Sequence, residues 1–347
     1  MLLALPAATS LFSASESSAS RAQRFCEKLR SAEKAPALCA AVWKAGSIVW
    51  SRAVGESDLE DGAPATPQTL FRIGSVSKLL TAAAAARLFE RGALDLDAPI
   101  QRYVPSFPEK SGQITPRLLL GHLSGVRHYS AGEYLNSKRY TSVGDTLAAI
   151  RDAPLLHAPG SKYSYSSYGF NLLGAALERA ASQDFASLIR RDVLQPLGMQ
   201  RTIPDDHRAI LAGRARYYSL SDGRIENAPD TDLSDRLPSG GYLSTAEELV
   251  RFGGAHLAGV YLNPATRTLM FTSQRTTEGK ETGVGLGWRI GAVANRRVYH
   301  HGGDAIGGRA FILLRPDDSM AVALTSNLGF ARFAEREAMS LADCFFS

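Results

Sequence analysis

The chain has 347 residues, 45% of them apolar and 21% charged, with a formal net charge of +5. This is ordinary globular composition, and the length allows one large domain or two interleaved ones with ample core. Its Lys and Arg are dispersed, Arg190-Arg191 and Arg296-Arg297 being the densest clusters, and no basic stripe with interleaved aromatics marks a nucleic-acid surface.

Residues 2–14 are apolar but too short to span a bilayer, which takes about 20 residues. They look like a signal-peptide core without a basic n-region, and Ser15 to Ser20 continue as a Ser-rich tail. The expectation is a periplasmic or secreted protein with no stable membrane span. The alternatives are a cytoplasmic protein or, in a eukaryote, a mitochondrial one. Arg21 to Ala32 reads as a helix with Phe25, Cys26 and Leu29 as its apolar stripe. Ala37–Trp43 and Ser47–Ser51 flank a Lys44-Ala45-Gly46 turn and read as a hairpin. Gly55 to Gln68, dense in Gly, Pro and acids, reads as a surface loop.

That loop feeds Phe71-Arg72-Ile73-Gly74-Ser75-Val76-Ser77-Lys78, which runs into an Ala/Leu-rich stretch. Gly74 can adopt the angles of a sharp entry, and the Ala/Leu run after Lys78 predicts a buried helix. Ser75 sits at its first turn with Lys78 one turn on, on the same face. A serine hydroxyl needs a base, and a lysine whose pKa burial lowers can be one. The helix N-terminus offers free N–H groups to an oxyanion. This is the S-x-x-K pattern. Ser31-Ala32-Glu33-Lys34 matches it as well, but in a polar segment ahead of Pro36. Without other support, Ser75 would be a helix cap.

Further on, Thr115-Pro116 marks a helix start. Thr146–Ile150, Tyr168–Ala180 and Phe185–Leu194 continue a helical region. Ser244-Thr245-Ala246-Glu247 predicts a capping box for a helix to about His256. Strands are expected at Leu286–Ile290, Arg297–His300, Ala310–Leu314 and Met320–Leu324, then an amphipathic helix from Phe330. The predicted fold is α/β of the α+β type, a mostly antiparallel sheet flanked by helices with an inserted, mostly helical subdomain. Residues 1–20 form the tail, 21–80 with 235–347 the sheet domain, and 81–234 the insert.

Two later stretches answer to Ser75. Pro159 to Gly169 is a hydroxyl-dense loop holding Tyr163, Tyr165 and Tyr168. A tyrosine beside Lys78 can relay a proton, and a nearby ammonium favours its phenolate. At least two of the three are expected to be packing residues. His301-Gly302-Gly303-Asp304 is Gly-rich, so its backbone can approach a substrate and donate an N–H to an oxyanion. No G-x-S-x-G elbow, phosphate loop or zinc pattern is present, so neither metal nor cofactor is expected. His122-Leu123-Ser124-Gly125 offers a His/Ser pair without an Asp partner.

Ser75-Val76-Ser77-Lys78, Tyr165-Ser166-Ser167 and His301-Gly302-Gly303, in this order, resemble the three motifs of the serine β-lactamase and penicillin-binding family, in its class C-like branch. Pro159-Gly160 and Gly240 to Thr245 add to the likeness. Asp95 to Pro105, Phe107 to Lys110 and His122 to Tyr129 look most like the mitochondrial serine β-lactamase-like members found in animals. Those members carry a long Lys/Glu-rich insertion where this chain passes from Tyr129 almost directly to Thr141, which suggests a compact, bacterial relative.

The resemblance implies a serine hydrolase. Ser75 attacks a carbonyl, Lys78 and Tyr165 handle its proton, and the N–H groups of Ser75 and Asp304 form the oxyanion hole. Ser167 stands where the family has Asn, in the substrate-amide position, and His301 stands where it has Lys. These departures favour a peptidase or esterase on a small-molecule or peptide substrate. The alternatives are a β-lactamase or D-amino-acid peptidase acting on cell-wall peptides, and a filament-forming protein with residual hydrolase activity. A homo-oligomer is allowed. Cys26, Cys39 and Cys344 are expected to be buried thiols. A Cys26–Cys344 bridge is the alternative if the fold sets the terminal helices side by side.

Overall fold

The alternation along Ala37–Lys44 dictates the layering. In this strand, β1, Ala37, Cys39, Ala41 and Trp43 enter one core, and Leu38, Ala40 and Val42 enter another. Successive side chains point to opposite faces, so a strand apolar on both faces has to be covered on both. The structure, a computed structural model describing residues 16–346, meets that demand with helices on either side of an antiparallel sheet.

From the N-terminal part come β1, β2 (Ser47–Asp58) and β3 (Ala63–Pro64). Three short strands, β4 (Phe71–Arg72), β5 (Ile203–Pro204) and β8 (Tyr242–Ser244), make a small second sheet, and β6 (Tyr218–Ser221) pairs with β7 (Arg224–Asn227). The C-terminal part adds β9 (Arg289–Val293), β10 (Arg296–Ala305), β11 (Gly308–Arg315) and β12 (Met320–Ser326). The main sheet has seven strands in the order β3-β2-β1-β12-β11-β10-β9. The two ends of the chain meet where Leu38 pairs with Ser326 and Trp43 with Ala321.

Helix α1 (Ser18–Ala32) and the closing helix α6 (Glu335–Asp343) contribute Cys26, Leu29 and Leu341 to the core on one face. On the other face lie α2 (Ser77–Glu90) and α5 (Ala246–Ala258), followed by the helical layer that includes α3 (Pro116–Leu120) and α4 (Ser167–Ala181). Every α2 residue from Ser77 to Ala86 is buried, as expected of a helix apolar all round. Arg72, 2% exposed, bonds to Asp205 at 2.6 Å and to the carbonyl of Ile306 at 2.8 Å. It thereby ties β4 to both the helical region and the β10–β11 loop.

The sheet, its shared N- and C-terminal strands and the flanking helices agree with the sequence reading, while several local features differ. The strand expected at Leu286–Ile290 begins only at Arg289. Leu286 N bonds to Met270 O and Gly287 N to Leu120 O, and Leu286 and Trp288 are fully buried in the helical-side core. Those apolar residues plug the helical layer instead of lining a ladder. The cap of α5 is Thr245, which accepts from Glu248 N at 3.2 Å. Ser244 closes β8 and bonds to Thr202 at 2.7 Å. The last helix starts at Glu335 instead of near Phe330. All three cysteines are free, which overturns the Cys26–Cys344 bridge, and Cys344 is half-buried where a buried thiol was expected. No helix among the described residues is long and apolar enough to cross a membrane. The signal-like stretch at residues 2–14 lies outside the described residues.

Candidate active site

Ser75 sits in a tight 3-10 turn, Gly74–Val76, joining β4 to α2. Gly74 has φ +49, and a Cβ there would stand 2.5 Å from the Asp304 carbonyl oxygen. A Cβ on Gly303 would stand 1.9 Å from Ile73 O and 2.9 Å from Ser75 N. Only two glycines let β10 lie flush against the serine turn. β9 pairs with β10 no further than His300, so residues 301–305 have a free edge. The Asp304 carbonyl accepts from the Tyr134 phenol at 3.1 Å. The Asp304 backbone lies directly against Gly74, where a Cβ would stand 2.8 Å from Asp304 N.

The Lys78 amine lies 3.0 Å from Ser75 Oγ. It donates to Ser167 Oγ at 3.0 Å and to the Ser239 carbonyl at 2.6 Å. The residue is 0% exposed. Burial pushes its pKa well below the usual lysine value, and the positive fields of Arg236 and Arg289 push the same way. A neutral amine has two N–H groups and one lone pair. With the N–H groups given to Ser239 and Ser167, the lone pair is left for the Ser75 hydroxyl.

Tyr165 precedes α4 and brings its ring to 4.9 Å from the Lys78 nitrogen. Burial raises the phenol pKa above its ordinary value, with the Ser75 hydrogen bond and the Arg289 charge opposing. An ammonium beside it would favour the phenolate, but desolvation acts the other way on both groups, against the lysine's charged form and against the phenolate.

Ser75, Tyr165, Ser167, His301, Gly302 and Asp304 all border one cavity of about 360 Å³. Lys78 is buried beside Ser75 without lining the cavity, and Gly303 backs the turn. Ser167, expected in substrate-amide recognition, directs its hydroxyl at Lys78. His301 is 2% exposed, and its Nδ1–H donates to the Gly302 carbonyl at 2.7 Å. Burial first, with the Arg289 charge acting the same way, holds its pKa well below normal, so His301 is neutral. Tyr168 packs edge-on against Tyr129 at 4.6 Å.

Arg236, Tyr134, Ser239 and Arg289 also border the site, and no local motif in the sequence singled them out. Arg236 is paired with Asp235 at 2.6 Å, and Arg309 with Asp304 at 2.6 Å. Arg289, exposed and 5.8 Å from the Tyr165 ring, has no carboxylate at pairing distance among the described residues. Among those residues no group of three or more His, Cys, Asp or Glu is placed to hold a metal ion.

A family model described as Beta-lactamase matches residues 22–343. The chain belongs to the beta-lactamase family. Within it, the human mitochondrial serine beta-lactamase-like protein LACTB is 30% identical over 381 residues, covering 82% of this chain and 69% of that protein. The aligned length exceeds this chain's 347 residues, so gaps open against extra residues in the relative. Esterase EstB of Burkholderia gladioli is 37% identical over 177 residues, 46% of this chain and 45% of that protein. An octameric penicillin-binding protein homologue from Pyrococcus abyssi superimposes with TM-score 0.82 at 24% identity, over 93% of this chain and 76% of that one. That likeness shows a shared beta-lactamase fold.

Two consequences can be measured. The unfolded chain keeps Lys78 protonated up to about pH 10.4, whereas burial in the fold pushes the same amine well below that. Between the folded and unfolded pKa values unfolding takes up a proton, and there this residue's contribution to stability rises with pH. In urea unfolding from pH 7 to 9, wild type should gain on Lys78→Met by up to about 1.4 kcal/mol per pH unit; parallel curves would contradict a neutral amine. Gly303→Ala should destabilise by about 1–3 kcal/mol or more through backbone overlap. Gly302→Ala, whose nearest neighbour is Phe311 Cδ2 at 3.2 Å, should cost less, and equal melting temperatures would refute the close approach.

Proposed function

We propose that this protein is a serine hydrolase that forms an acyl-enzyme on Ser75 and acts as a peptidase or esterase. The observation that carries this is the fully buried Lys78 amine, 3.0 Å from the Ser75 hydroxyl. As Ser75 Oγ bonds to the substrate carbonyl carbon, its proton passes to Lys78. The oxyanion is held by the N–H groups of Ser75 and Asp304, each such donor being worth about 10²–10³ in rate. Tyr165 gives its proton to the leaving nitrogen or oxygen and recovers one from Lys78. Water then attacks the ester, and the same pair carries the protons in reverse order. The esterase name of the Burkholderia relative supports this reading.

One observation favours carboxylate-bearing substrates, as a D-amino-acid peptidase or β-lactamase would use: Arg289 borders the cavity without an acidic partner among the described residues. Neutral His301 supplies no charge for that purpose. Self-association is carried forward on the octameric description of the Pyrococcus neighbour, and light scattering reads it directly.

Ser75→Ala should abolish labelling by a fluorophosphonate, and a labelled Ser75→Ala protein would refute the nucleophile. Tyr165→Phe should lower kcat by about 10²–10⁴; an unchanged kcat would remove it as the acid. With a panel of p-nitrophenyl esters and peptides, Arg289→Ala should raise KM about tenfold for a substrate with a free carboxylate. Charged contacts of about 1.5–3 kcal/mol are the scale. Neutral esters should suffer much less, and an equal effect on both would show that Arg289 does not read charge.

A further inference from the structure

The loop that presents Tyr165 is gripped by two histidines that the reaction itself does not use. Ser166 N donates to His122 Nδ1 at 3.1 Å, and Ser167 N donates to His128 Nδ1 at 3.2 Å. Ser164 N donates to the His122 carbonyl at 2.8 Å, so one residue holds the backbone on both sides of Tyr165. The same two rings enclose the phenol ring. His122 lies against it with centroids 4.4 Å apart, and His128 meets it edge-on at 5.4 Å. His122 is 3% exposed and has φ +57, a left-handed conformation uncommon outside glycine.

We infer that His122 and His128 are positioning residues: as acceptors on successive amides and as walls for the ring, they set the Tyr165 phenol against Ser75 and the Ser167 hydroxyl against Lys78. This rests on the hydrolase reading of Ser75, Lys78 and Tyr165. The residues after Tyr165 start α4, so its entry amides would otherwise lack acceptors. The device works only while each Nδ1 carries no proton. Burial keeps His122 neutral, and the Arg289 charge acts the same way. His128 is pushed down to about 4 by burial above all and by the Arg236 charge, with Glu133 opposing. An imidazolium at either position would present a donor to a donor.

The test separates the ring from its acceptor. Asn places its side-chain oxygen near the position of Nδ1, Phe keeps an aromatic wall without an acceptor, and Gln carries its amide too far out. In the full chain, with a p-nitrophenyl ester as substrate, His128→Phe should lower kcat about 10²-fold, the scale of a misplaced catalytic group. KM should change little, and His128→Asn should recover most of the loss. If His128→Phe does not fold, His128→Gln takes its place with the same expected outcome. Wild-type kcat in the Phe or Gln variant, or an Asn variant as impaired as they are, would overturn the positioning role. Ser75→Ala measured alongside separates the two ideas. If it is inactive while His128→Phe turns over normally, only the positioning role fails; if it stays active, the hydrolase reading fails.

Discussion

An amine removed from water and left with one open lone pair is the constraint on which the site depends. Lys78 cannot hold a full charge cheaply in an apolar helix, since desolvation of an ammonium opposes protonation, and Arg236 and Arg289 raise the cost. Its two N–H groups are taken by Ser167 and the Ser239 carbonyl. The direction left open is toward Ser75. The lysine stands at the head of a run of buried alanines, Ala82 to Ala86, in the same helix.

The fold makes that closure from distant parts of the chain. The sheet is joined through β1 and β12, which brings β10 beside a serine turn more than 200 residues earlier in the sequence. Arg72 locks the strand leading into that turn to the β10–β11 loop and to Asp205, inside the protein. Removing one member of such a buried pair strands the other charge. The geometry of the nucleophile is therefore coupled to the integrity of both layers. The paired glycines at 74 and 303 are the points where those layers touch backbone to backbone.

Much of this was legible in the sequence because it was written locally. Gly74, Ser75 and Lys78 lie within one turn of a run whose composition announces burial. The hydroxyl-dense loop around Tyr165 and the glycines after His301 are equally compact signals. What could not be read is tertiary. Arg236, Arg289 and Tyr134 are single residues in unremarkable surroundings, and Ser239 meets Lys78 through a backbone carbonyl. How burial acts on the Lys78–Tyr165 pair is equally invisible in the sequence, where a lysine one motif away suggests an ammonium. Leu286 and Trp288 have the pattern of a strand, yet they fill the helical layer, since an apolar run does not say which layer it completes. His122 and His128 show the same limit, because an imidazole's use depends on which backbone amides come to meet it.

The most direct measurement is the ionisation of the lysine itself. With 13C-labelled lysine side chains, the Lys78 resonance, assigned by its loss in Lys78→Arg, should titrate well below the other lysines and leave a free amine at neutral pH. If it instead titrates with the bulk near 10.4, the amine is an ammonium beside Ser75, and it cannot be the base.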